Sequence, residues 1–277
     1  MNKLKEFFKN IIEIGPKALL VSFFLLFNFS CITPTNYSRK DIEEVIERIC
    51  QKEFKTKVNS WLTDETLWVY VPFGNIVDQT GQPTADFTKN TRQIFLTLRR
   101  AFLNMDNPPQ FYSFVLSDVE DQGLDLYRIG FVRDFIKFQM GLISLQQINQ
   151  RIVVLSAKNK QALGDTEGKH IHPYNITIGD FIGYLLRQRL NNIYISYPDQ
   201  VEVKKIQSYY QQKKLGIIFD IDIKKKQKSI PEPFSKAKEI IKEYLEIYNR
   251  PAEIVEIEVT DSSSKKSSTF TQAALFD

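Results

Sequence analysis

The sequence predicts an α+β protein built from helix–hairpin units, its short antiparallel sheets each covered by helices on one face. Three observations carry this. Runs rich in β-branched and aromatic residues come in pairs, with polar turn residues between the members of a pair. Amphipathic helical stripes fall between the pairs rather than after every strand, which argues against strict strand–helix alternation. The order helix–strand–strand also occurs twice between Ser38 and Phe131, the outline of a structural repeat.

The first unit begins at Ser38, whose hydroxyl is placed to cap a helix, with Asp41 in the first turn where negative charge suits the helix dipole. Ile42, Val45, Ile46, Ile49 and Cys50 then recur at helical spacing, so Cys50 reads as a small buried hydrophobe. Lys57–Leu62 and Thr66–Val71 flank the polar Thr63-Asp64-Glu65 and predict a hairpin, ended by Pro72 and the Gly74–Pro83 loop. Thr91–Met105 places Ile94, Phe95, Leu98, Ala101, Phe102 and Met105 on one helical face, and Pro108-Pro109 stops it. Phe111–Val119 and Leu124–Phe131 are strands around Asp121-Gln122-Gly123, where glycine supplies the positive φ of a turn. Helical patterns over Val132–Phe138 and Ser144–Leu155 complete a first lobe, 39–156.

Residues 157–173 are polar and glycine-containing, a predicted boundary or mobile loop. A second lobe spans 174–261. Its helix Thr177–Leu190 is followed by a short strand at Ile193–Ile195 and by Gln200–Gln212, which fits neither period. Leu215–Ile223 is a strand, Ser235–Tyr248 a helix, and Ile254–Val259 alternates as a half-buried strand. Residues 262–277 open with Ser-Ser-Ser-Lys-Lys-Ser-Ser and predict a disordered tail.

Composition narrows the function classes. Hydrophobic residues at 43% and charged residues at 25% exclude a wholly disordered, collagen-like or polytopic membrane chain. Residues 1–30 carry four lysines against two glutamates, which leaves 33 basic against 31 acidic residues beyond them. That balance argues against nucleic acid as a partner. Two cysteines make neither a disulfide framework nor a four-thiolate metal site.

The first forty residues read as an address. Lys17 precedes the apolar run Ala18–Phe27, then Asn28-Phe29-Ser30-Cys31, which is a basic region, an apolar core and a small residue before a cleavage point. A single cysteine directly after such a run resembles the lipidated cysteine of bacterial lipoprotein precursors. The resemblance covers residues 1–31 only. It implies an export signal over 1–30, a mature chain beginning at a lipidated Cys31, a tether over 31–38, and a mature domain held outside the cytoplasm at the cell membrane or outer membrane. Two acyl chains anchor stably without a spanning helix. The alternative is residues 18–38 as an uncleaved span, since crossing hydrocarbon takes about 20 residues.

Four constellations carry residue types suited to chemistry. His170 and His172, with Asp165 and Glu167 before them, are the residue types that ligate zinc, yet no His-Glu-x-x-His helix organises them and a solvated loop reads better. Asp118–Gly123 has the start of a calcium loop, but Ile129 stands where the clamping glutamate is needed, so a hairpin turn is expected. Asp220 and Asp222 share one strand face about 6–7 Å apart, a spacing that carboxylate-pair hydrolysis can use. Lys224, Lys225, Lys226 and Lys228, near Tyr209-Tyr210, make a basic cluster. No local signature names a catalytic residue, a cofactor or a metal. The expectation is therefore a lipid-anchored, non-enzymatic binding or assembly module, bound to membrane lipid through Cys31 and meeting an envelope protein. An envelope-polymer hydrolase using Asp220 and Asp222 is the alternative.

Overall fold

A computed structural model describes residues 36–78, 80–224 and 230–276. The expected export segment 1–30, Cys31 and the expected tether as far as residue 35 lie outside the described residues, as do Lys225, Lys226 and Lys228.

A 3-10 turn at Arg39–Asp41 leads into α1 (Ile42–Ile49). Ser38 sits at its start, but its carbonyl rather than its hydroxyl takes part, accepting from the Asp41 N–H at 3.1 Å. The hairpin β1 (Asn59–Thr63) and β2 (Thr66–Phe73) follows. Helix α2 (Ala85–Leu103) begins six residues before the expected start at Thr91, because the Thr84 hydroxyl accepts from the Phe87 N–H and fixes the start there. Strands β3 (Phe111–Asp118) and β4 (Leu124–Phe131) form the second hairpin. After α3 (Val132–Gln139), Ser144 opens the short α4 (Leu145–Asn149) with a capping box through Gln147. The expected helix through Leu155 stops there, since Ile152–Lys158 is strand β5.

Thr177 and Asp180 form the capping box of α5 (Ile178–Ile195), which absorbs the expected strand at Ile193–Ile195. Next come β6 (Val201–Gln211), β7 (Lys214–Ile223), α6 (Pro233–Ile247) and β8 (Glu256–Asp261). Lys266–Thr271 is strand β9, paired along its length with β8, so the segment expected to be a disordered tail completes a sheet.

The first sheet runs β1-β2-β3-β4-β5 and the second β6-β7-β8-β9. The α+β class holds, but the sheets are mixed rather than antiparallel: β2 pairs parallel with β3, and β7 with β8. Each of these pairs spans a helix, α2 or α6, that carries the chain back to the end from which it came. Leu67, Val69 and Val71 lie beside Tyr112, Phe114 and Leu116 on one face of the first sheet, where Phe95, Phe102 and Phe135 of α2 and α3 pack. Its other face, with Trp68, Tyr70, Phe111, Val115 and Ile129, shares a core with α5, α6 and the second sheet. The layers are thus helices, sheet, helices, sheet. Helices cover the first sheet on both faces, and every residue of β3 is buried.

Residues from Ser38 onward form one compact unit. The expected boundary at 157–173 is instead strapped across the first sheet. Asn59 Nδ2 donates to the Glu167 carbonyl at 2.7 Å and Trp68 Nε1 to the Tyr174 carbonyl at 2.9 Å, while the Ile176 N–H donates to Thr66 Oγ1 at 2.8 Å. Gly168 has φ +73°, and a Cβ there would stand 2.8 Å from the Tyr70 ring and 2.9 Å from Trp61, so the strap lies flat only with glycine.

Candidate functional site

The strap brings His170 onto Asp125, which β4 presents to the inner face opposite Ser117 of β3. The imidazole is 3% exposed and the Asp125 carboxylate 0%. His170 Nδ1 meets Asp165 Oδ2 at 2.6 Å and Nε2 meets Asp125 Oδ1 at 3.2 Å. The Ser117 hydroxyl donates to Asp125 Oδ1, and Asn159 Nδ2 donates to Oδ2 at 3.1 Å. Asp165 also accepts the His170 backbone N–H at 2.9 Å and the Glu167 N–H at 3.0 Å. Tyr70 donates its hydroxyl to the Asp165 carbonyl, and its ring meets the imidazole edge-on at 5.6 Å.

Burial raises the Asp165 carboxyl, but the bonds from the His170 side chain and backbone and from Glu167 outweigh it and hold the group at about 2. Chemically, both ring nitrogens face carboxylates, which leaves no free ring edge for a metal or a substrate. Ser117 bonds the carboxylate rather than the imidazole, so the serine, histidine and aspartate are not arranged as a nucleophile activated by a base. The cluster ties a strap to a sheet. Beside it an open pocket of about 640 Å³ is lined by Gln161, Asp165, Glu167, Lys169, His170 and His172.

The other flagged residues do not join it. His172 is exposed, two positions on and outside the cluster, and among the described residues no group of three or more histidines, cysteines and carboxylates is placed to hold a metal. Asp118 is buried at the β3–β4 turn, where its Oδ1 accepts from Asp121 N–H at 3.0 Å and Gln122 N–H at 3.2 Å. Asp220 and Asp222 lie on the open face of the second sheet among lysines: Lys205 is opposite Asp220, and Lys204 Nζ reaches Asp222 at 3.8 Å. Cys50 is fully buried, 3.6 Å from Thr97 Oγ1, and burial pushes its thiol up to about 11. Sequence reasoning missed Asp125 and Ser117. The one signal was a pair of polar residues inside otherwise apolar strands.

The fold and this cluster define a two-sheet α+β domain that holds a buried carboxylate–imidazole–carboxylate tie. Comparison with protein families, with curated proteins and with solved structures finds no match to the chain.

Proposed function

We propose that this chain is a lipid-anchored binding or assembly module of the cell envelope and not an enzyme. The observation that carries the reading is the order of the first forty residues: the apolar run Ala18–Phe27, Ser30, Cys31, then a short polar tether before the first helix. The buried tie adds support, because the described histidine best placed for catalysis has both ring nitrogens occupied by structural partners. Membrane lipid through Cys31 and an envelope protein are the partners of this reading.

Mass spectrometry of the protein extracted from membranes tests it. The expected mass is that of a chain starting at Cys31 with acyl groups on the cysteine, and Cys31→Ala should release the protein or leave it unprocessed. An intact Met1 terminus with unmodified Cys31 would overturn the lipid anchor and leave residues 18–38 as a span.

A further inference from the structure

We infer that the exposed face of α2 rests on the surface of an anionic bilayer. The inference rests on the anchored reading above and adds to it which side of the domain meets the lipid.

Lys89, Arg92, Leu96, Arg99 and Leu103 follow one another at spacings of three and four along α2, so they form a single stripe. All five are exposed, Leu96 at 45%. The opposite side carries Ile94, Leu98, Ala101 and Phe102, all buried. Among the described residues no carboxylate forms an ion pair with Lys89, Arg92 or Arg99. Arg100, one position off the stripe, pairs with Glu53 at 2.6 Å. Three unpaired cations alternating with two exposed leucines suit a surface that offers phosphate oxygens above hydrocarbon. Helix α3 lies beside α2, with Phe135 stacked on Phe95 at 6.0 Å. It ends in a second exposed apolar feature, Met140 at 63% and Leu142 at 67%.

The tether points to the same side. Six residues lie between Cys31 and Ser38, and the seven steps from one to the other reach at most about 25 Å when extended. The chain then enters the domain in the helical layer that contains α2, since Cys50 just after α1 contacts Thr97. A lipid on Cys31 therefore holds this layer, rather than the second sheet, near the headgroups.

The test uses the full chain in its native membranes with a benzophenone amino acid at position 96, and separately at the exposed Val154 on β5. Irradiation should give lipid adducts at 96 and at least tenfold fewer at 154. The triple variant K89E/R92E/R99E should lose the adduct at 96, because each basic residue near an anionic surface is worth about a factor of five in partitioning. The triple variant K89R/R92K/R99K should keep it. Adducts to another protein or to the chain's own amino-terminal segment, equal adducts at 96 and 154, or no adduct at 96, would each overturn the inference. The mass of Cys31 measured in the same sample separates the two readings. A lipidated Cys31 without lipid adducts sinks this inference alone, and lipid adducts with unmodified Cys31 sink the lipid anchor alone.

Discussion

In both sheets a helix precedes a hairpin, a second helix crosses over, and a second hairpin lies parallel-paired against the first. The correspondence reaches single residues. Asp118 ends β3 and Asp261 ends β8, and each carboxylate caps the turn that follows, Asp261 Oδ1 accepting from the Ser263 N–H at 3.0 Å. A tyrosine lies over a cross-strand glycine in each sheet, Tyr112 over Gly130 and Tyr209 over Gly216. The sheets differ in what covers them. Helices enclose the first on both faces, while one face of the second meets water, with Lys214 bridging Glu256 and Glu258 at 3.6 and 3.3 Å. A carboxylate on the open face is solvated whether or not a lysine is near. A carboxylate on the enclosed sheet, such as Asp125, must find every partner within the chain.

The shared core can be broken first. Phe181 of α5 is fully buried, with its ring 5.3 Å from Phe111 and 5.7 Å from Tyr248. Phe181→Ala should cost about 3–5 kcal/mol. Urea unfolding followed by tryptophan fluorescence, which reports the first sheet, and by far-ultraviolet circular dichroism should stay coincident. Separated transitions would mean that the two sheets do not share one cooperative core.

The contrast between enclosed and open carboxylates gives the next pair. His170→Ala strands two carboxylates beside the first sheet and should cost about 3 kcal/mol. Asp222→Asn on the second should change stability by no more than about 0.5 kcal/mol, measured in the same denaturation. If the two losses are equal, enclosure does not decide the matter. Acid titration sharpens the point. Asp165 is held at about 2, below its ordinary 3.8, so its contribution is present above the ordinary value and is lost as pH falls through the lowered one. In His170→Ala the acid limb should move to higher pH, read by circular dichroism.

Gly168→Ala should cost about 2 kcal/mol, from a left-handed backbone and from collision with Tyr70 and Trp61. One further effect is a gain. Gln212 and Lys213 turn the β6–β7 hairpin with φ of +50° and +63°, a conformation that suits Asn-Gly. Gln212→Asn with Lys213→Gly should stabilise by about 1 kcal/mol, seen as a higher Tm.

That same turn shows why part of the fold was hidden from the sequence. Without an Asn-Gly signal, and with mostly polar residues, β6 showed no period, and the polar Lys266–Thr271 looked like a tail. Helix α6 and strands β7 and β8 were legible because one side faces water and the pattern survives. Residues 144–155 misled because Ile148, Ile152 and Leu155 fit helical spacing although only Leu145–Asn149 is helical. The parallel pairs left one trace, the unbroken run Leu67–Val71, buried on both faces and without alternation. The tie was beyond local reading, since Asp125 and His170 are 45 residues apart and only the strap joins them.

The enclosed sheet also sets an order of events for a chain made amino end first. All five of its strands are complete by Lys158, yet α5, which covers Trp68, Tyr70 and Phe111, begins only at Ile178. For that interval the first sheet stands as an apolar slab with one bare face, the state in which nascent proteins stick to one another. A chain halted at residue 177 should therefore aggregate although every strand of the sheet is present.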